Sequence, residues 1–394
     1  MKIIAITGTK GKTSVARLID FTLLKMNFKT LRVDSDGSFI NGRQESNRKY
    51  SQEVFKNPPT VQAGKYLNLY KDKSLDYAVL EQSLSSGKED IGLGYLQQDT
   101  SVFTNIFSDH IDYKKIKSKQ DLFDIKLKIL SKTKGWIVSN WDDDFGRKVA
   151  EKVKNAVLFY GTSEDILQNE NYIYYKNKTI KLRFRKNKLS FSLEKYNFPV
   201  NEGFLPSIYN LMASLGALTC LDFNPEEIKR ILETYEIDKS QGRLVLKTYK
   251  GKRVLLDNAH ETNSIIEVGK LCSKLGRKVI GVLRLSPERV NQVIQETGKA
   301  IAKSGVFDHI IVYDFIDGVY SSESLSKPNG KSRKVGEVVN ILAMSLKEGN
   351  KSLEVDTILN EQDALKKALK IASKDDIVLM IHHRYKKSLG VLKK

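Results

Sequence analysis

Across residues 1–160, short apolar runs alternate with segments whose apolar positions recur every three or four residues. The runs at 2–7, 31–34, 76–81, 101–105, 135–139 and 156–160 predict strands. Between them, Val15, Leu18, Ile19 and Leu23 fall on one face of a helix predicted over 14–26, and 121–130 reads the same way. Strands and helices in alternation predict a parallel α/β domain. The texture changes at 171–194, where NYIYYKNKTIKLRFRKNKLSFSLE alternates apolar and polar positions between Lys-Asn turns. That pattern predicts antiparallel hairpins, a small β-subdomain. Helices return at 207–221 and 225–235, the latter with Pro225 in its first turn.

A second alternating unit begins near residue 240. Its predicted strands are 245–248, 253–257, 278–283, 309–313 and 377–381, and its helices include 287–303, 335–346 and 361–372. Two α/β domains are therefore expected, 1–238 and 239–394, the second Rossmann-like. The polar, turn-rich segment 318–334 predicts a surface loop.

Composition changes this picture little. Hydrophobic residues at 40% and charged residues at 29% describe an ordinary globular chain. No run approaches the ~20 apolar residues that span a bilayer, and the N-terminus lacks the pattern of a signal peptide, so a cytoplasmic location is expected. The two cysteines, Cys220 and Cys272, sit in apolar helix-like segments and read as buried thiols. The net charge of +19 is spread along the chain, which suits a solvated lysine-rich surface or a field steering a polyanionic substrate. Basic residues interleave with aromatics only in the hairpin segment, so no nucleic-acid partner is expected.

Candidate chemistry begins at Ile6–Ser14, ITGTKGKTS, between a predicted strand and a predicted helix. Gly8 and Gly11 let the backbone around Thr9 and Lys10 bend so that N–H groups converge on phosphate oxygens. The following helix adds the positive end of its dipole. Lys12 would neutralise β- and γ-phosphates, and the Thr13 hydroxyl, followed by Ser14, would ligate Mg2+. The usual phosphate-loop pattern wants Gly at position 6, so this is the shorter T-G-T-x-G-K-T-S form. Taken alone, the loop fits a kinase, an ATPase or a ligase.

Such a loop needs an acidic partner for the metal at a neighbouring strand end, and Glu81 closes the run DYAVLE. Farther on, Asn105 closes another strand and Asp109, His110 and Asp112 follow it. His110, one of only five histidines, is a metal or catalytic candidate, or half of an idle surface Asp-His pair. Lys126 follows on the helix QDLFDIKLKIL. In the second unit Asp257, Asn258 and His260 sit at a strand end, Arg243 precedes a strand and Arg284 follows one. Strand ends of open α/β sheets face the ligand crevice.

Six segments, TGTKGKTS, LEQS, TNIFSDHIDY, IYNLMASLGA, QGRL and DNAHETNS, occur in the order in which they resemble motifs of the Mur ligase superfamily of ADP-forming amide ligases. The look is nearest to the C-terminal ligase half of cyanophycin synthetase. Because the loop starts at residue 7, the UDP-sugar-binding domain of peptidoglycan ligases is not expected here. The resemblance implies ATP on Lys12 and the loop backbone, one Mg2+ on Thr13 and Glu81, and a second on His110. It further implies a carbamylated Lys126, Asn210 at the adenine, Arg243 at the phosphates and Asp257 at the ribose. His260-Glu261-Thr262 departs from the family's His-Asn-Pro.

The implied activity joins an amino acid to a carboxylate acceptor, an acidic polymer being one candidate, through an acyl phosphate. His260 and Arg284 are the substrate candidates. Another phosphoryl-transfer enzyme, a kinase or NTPase, is the competing expectation. The sequence leaves the oligomeric state open.

Overall fold

A computed structural model describes residues 1–45, 59–61, 63–70, 73–83, 97–107, 116–237, 242–287, 289–314 and 333–393. The chain divides into two compact units, Met1–Glu236 and Ile237–Lys394.

The first unit is built on β1 (Lys2–Thr7), β2 (Thr30–Asp34), β3 (Gly37–Ile40), β4 (Arg43–Gln44), β5 (Tyr77–Glu81), β6 (Thr100–Phe103), β7 (Ile137–Asn140), β8 (Val157–Gly161), β9 (Tyr172–Lys176), β10 (Thr179–Phe184) and β11 (Asn187–Ser192). They form one sheet in the order β11-β10-β9-β8-β7-β6-β1-β5-β2-β3-β4. Strands β2, β5, β1, β6, β7, β8 and β9 run parallel, and antiparallel ribbons extend both edges. The hairpins expected as a subdomain thus continue the main sheet, because β9 pairs in parallel with β8. The β3–β4 ribbon was not expected; at four and two residues its strands are too short to show a period.

Alternation along the strands sends side chains to opposite faces. Ile4, Ile6 and Val79 pack under α1 (Lys12–Lys25), α5 (Leu205–Thr219) and α6 (Pro225–Glu233). Ala5, Ala78, Leu80 and Phe103 pack on the other face, with α2 (Ala63–Leu69), α3 (Lys119–Leu130) and α4 (Asp144–Lys152). Helix α3 starts at a capping box in which Ser118 and Asp121 each satisfy the other's backbone N–H. Gly216 lets α5 lie close on the sheet, since a Cβ there would stand 2.9 Å from Val138 Cγ1.

The second unit carries β12 (Val245–Tyr249), β13 (Lys252–Asp257), β14 (Val279–Leu283), β15 (His309–Val312), β16 (Glu354–Thr357) and β17 (Ile377–Ile381). Their order is β12-β13-β17-β14-β15-β16, parallel except for β12. One face is covered by α10 (Glu361–Ile371) and α11 (Tyr385–Val391). Helices α7 (Thr262–Leu275), α8 (Asn291–Lys303) and α9 (Glu337–Gly349) pack together against the sheet as well. Helix α8 begins four residues after the expected start at 287. Both cysteines are free and buried. Among the described residues no helix is long and apolar enough to cross a membrane.

Candidate active site

The turn from β1 into α1 lies at the carboxyl edge of the parallel strands. Gly8 and Gly11 have φ of 137° and 84°, in the left-handed half of backbone space that favours glycine. A Cβ on Gly8 would stand 2.0 Å from Thr104 Oγ1, and one on Gly11 would stand 2.4 Å from Asn210 Oδ1. The loop is therefore shaped by close approach from the end of β6 and from α5. The first intrahelical bond of α1 runs from the Val15 N–H to the Gly11 carbonyl, 2.9 Å, and no side chain caps the helix. The amides ahead of that bond, Thr13 and Ser14 among them, open toward an anion at the helix start.

Asn105 braces this loop. Its carbonyl accepts from Thr9 N–H at 2.8 Å, its Oδ1 accepts from Lys10 N–H at 2.8 Å, and its Nδ2 donates to the Lys10 carbonyl at 3.3 Å. Thr9 Oγ1 accepts from Phe107 N–H at 3.1 Å. The Thr9 and Lys10 amides thus point into the protein, and Lys12 folds back so that its Nζ donates to the Thr9 carbonyl at 2.9 Å.

Glu81, buried at the end of β5, joins three elements. Its Oε2 accepts from the Thr13 hydroxyl at 2.8 Å and from Ser35 N–H at 3.2 Å, and its Oε1 lies 3.9 Å from Lys12 Nζ. Ser35 Oγ stands 3.1 Å from Thr13 Oγ1. One carboxylate with two hydroxyls is a donor set that suits Mg2+, which takes few protein ligands and fills its octahedron with water and phosphate. Among the described residues there is no group of three His, Cys, Asp or Glu able to hold a metal. His110 lies outside the described residues, as do most of the expected loop at 318–334 and its neighbours Asp109 and Asp112.

Ser35 was missed in sequence because nothing in VDSDG marks a serine as facing the loop; only the β2–β3 turn brings it there. That turn is held by buried charge. Asp34 lies 3.3 Å from Arg32 Nε and 3.7 Å from Arg17 Nε, while Arg17 also pairs with Asp36. Burial outweighs both arginines and pushes Asp34 up to about 6.

Lys126 on α3 is 3% exposed, and its Nζ donates to the Gly8 carbonyl at 2.7 Å. Burial, and secondarily the nearby charge of Lys12, holds it well below the ordinary lysine range.

In the second unit the strand ends gather another polar group. Asp257 is buried, with Oδ2 accepting from Leu244 N–H at 2.9 Å and Oδ1 from Ala259 N–H at 2.7 Å; burial raises its pKa. Arg284, also buried, donates to Asn258 Oδ1 at 3.1 Å and to the His382 carbonyl at 3.4 Å. His382 is buried with Nε2 2.7 Å from the Gly242 carbonyl, and burial lowers its pKa. His382 carries no signal in the sequence, because its partner, the Gly242 carbonyl, lies 140 residues away. Arg243 and His260 are exposed, His260 with Nδ1 3.0 Å from the Asn258 carbonyl.

A parallel sheet carrying a glycine loop, a buried acid and a buried lysine at its carboxyl edge defines a protein built to hold an anionic ligand at a helix start. A family model described as the Mur ligase middle domain matches residues 6–218, more than half of the chain, and the chain belongs to that family. It is 24% identical over 406 residues to the cyanophycin synthetase of Geminocystis herdmanii (strain PCC 6308), with 100% of this chain and 43% of the relative covered. It is 25% identical over 388 residues to the UDP-N-acetylmuramoyl-L-alanyl-D-glutamate–2,6-diaminopimelate ligase of Clostridium botulinum (strain ATCC 19397 / Type A), with 96% and 72% covered. The chain thus spans less than half the length of the cyanophycin synthetases it matches. In fold it resembles the bifunctional folylpolyglutamate synthase/dihydrofolate synthase from Yersinia pestis CO92, with a TM-score of 0.69, 17% identity, and 100% and 88% of the two chains covered.

Proposed function

We propose that this chain is an ATP-dependent, ADP-forming amide ligase that joins an amino acid to a carboxylate acceptor through an acyl phosphate. The observation that carries this reading is the meeting of Lys12, Thr13 and Glu81 over a glycine loop backed by the buried Lys126, in a chain of this family. Its likeness to a cyanophycin synthetase and to a 2,6-diaminopimelate ligase supports the same reading.

In this reading the amides at the start of α1 and the Lys12 ammonium neutralise the ATP phosphates. Thr13 and Glu81 would hold Mg2+, which would supply charge stabilisation at the γ-phosphoryl group. His110 would hold a second ion. Asn210, against Gly11, meets the adenine. In the second unit Arg243 would bind phosphate, Asp257 ribose, and Arg284 and His260 an amino acid. A carboxylate oxygen of the acceptor attacks the γ-phosphorus and ADP leaves. The amine then attacks the acyl carbon, phosphate leaves, and the amine's proton passes to water or a base. Neutral Lys126 is the form that adds CO2 to give a carbamate, releasing one proton. The net charge of +19 favours a polyanionic acceptor.

The test is ADP release from ATP and Mg2+ across the twenty amino acids, with and without short polyaspartate and polyglutamate. Release that requires one amino acid together with one acceptor supports the ligase. Release indifferent to every amino acid points instead to a kinase or NTPase.

A further inference from the structure

Asp142 has no part in the reaction outlined above, yet its carboxylate accepts four hydrogen bonds. It follows β7, and its Oδ2 accepts from Thr162 N–H at 2.6 Å, Thr162 Oγ1 at 2.9 Å and the Tyr209 hydroxyl at 2.6 Å. Its Oδ1 accepts from Ser163 N–H at 3.1 Å, and its own N–H donates to Asn140 Oδ1 at 3.0 Å. Gly161 leaves the room this carboxylate needs, since a Cβ there would stand 2.9 Å from Oδ1. Three of these donors belong to the turn after β8; the fourth, Tyr209, is the only one on a helix.

Tyr209 lies in the first turns of α5, one residue before Asn210, whose Oδ1 packs on Gly11 at the start of α1. Helix α5 has no side-chain cap at its N-terminus, so its opening turn lacks the usual local anchor. The Tyr209 ring also meets Tyr160 edge-on, with centroids 6.3 Å apart. A hydroxyl–carboxylate bond of this kind is charge-assisted and directional, and it fixes the rotation of the turn that bears it.

We infer that Asp142, acting through Tyr209, is a positioning residue for the nucleotide: it sets the approach of the Asn210 amide to the loop at Gly11. The inference rests on Asn210 facing the nucleotide, as proposed above. Asp142 holds the turn after β8 and the start of α5 in one register, so the base-side contact and the phosphate loop keep a fixed separation.

The test uses Tyr209→Phe, Asp142→Asn and the double variant of the full chain. Titration with a fluorescent ADP analogue and Mg2+ reads affinity, and circular dichroism reads the folded fraction to which each titration is referred. Wild-type binding comes first; no binding by the wild type would sink the nucleotide reading itself, separately from this inference. With wild-type binding established, each single variant is expected to bind about threefold to tenfold more weakly. The double variant is expected to be no weaker than the worse single one, because both changes break the same contact. Phe keeps the ring against Tyr160, so Tyr209→Phe isolates the hydroxyl. Affinities of Tyr209→Phe within twofold of wild type, or losses that multiply in the double variant, would overturn the inference.

Discussion

Lys126 donates its Nζ hydrogen to the Gly8 carbonyl from a buried position, and burial, with Lys12 nearby, holds its pKa well below the ordinary lysine range. A lysine whose pKa is lower when folded takes up protons on unfolding at pH values between the two. Stability therefore rises with pH from the depressed folded value up to that of the free side chain, about 10.4. As pH rises toward ~10, wild type is expected to gain on Lys126→Met in denaturant unfolding, by at most about 1.4 kcal/mol per pH unit. A constant difference would mean that the fold does not depress Lys126. Lys12→Ala removes the ammonium at the loop and is expected to lower ADP formation at least ~100-fold, measured under saturating ATP. Lys12, Thr13 and Glu81 were legible in sequence because a loop motif and a strand end fix their places. Ser35 and Asp142 were not, since each acts through a turn whose partner lies far along the chain: Glu81 for Ser35, and Tyr209 for Asp142.

At the scale of elements, the β1–α1 turn depends on glycines that touch other elements. Gly8→Ala meets Thr104 Oγ1 in a backbone conformation that alanine avoids, with an expected cost of ~2–3 kcal/mol and loss of nucleotide binding. Unfolding and nucleotide titrations check this together. The β2–β3 turn depends on charge instead. Arg17→Ala leaves the wholly buried Asp34 with Arg32 as its remaining close arginine, and a loss of ~3 kcal/mol is expected by chemical denaturation. A loss under ~1 kcal/mol would show that Arg17 and Asp34 are not coupled. The central strands β1 and β5 were legible because they are largely apolar runs buried on both faces. The edge ribbon β3–β4 and the short strand β16 were not: GSFI and EVDT carry too few positions for a period to stand out. The same holds for α4, a nine-residue helix whose start is fixed by the Asp143 cap rather than by an apolar stripe.

At the scale of the molecule, each unit has its own sheet and core, which implies that residues 237–394 fold alone. That segment is expected to unfold cooperatively in urea; a broad, gradual loss of signal would contradict it. The two-domain plan was legible in the return of strand–helix alternation near residue 240. The continuity of the hairpins with the main sheet was not, because periodicity reports a strand's faces and says nothing about its neighbour. The excess of 66 Lys and Arg over 47 Asp and Glu makes a further expectation concrete. Turnover with a polyanionic acceptor should fall about tenfold between ~50 and ~300 mM salt as the field is screened.

Activation of the acceptor carboxylate by phosphorylation leaves a mark in the fate of its oxygen. With an acceptor whose carboxylate carries a heavy-oxygen label, ligation through an acyl phosphate must transfer one labelled oxygen to the released phosphate. Labelled phosphate formed in step with ADP is the predicted result. Phosphate bearing oxygen from water alone would contradict the account.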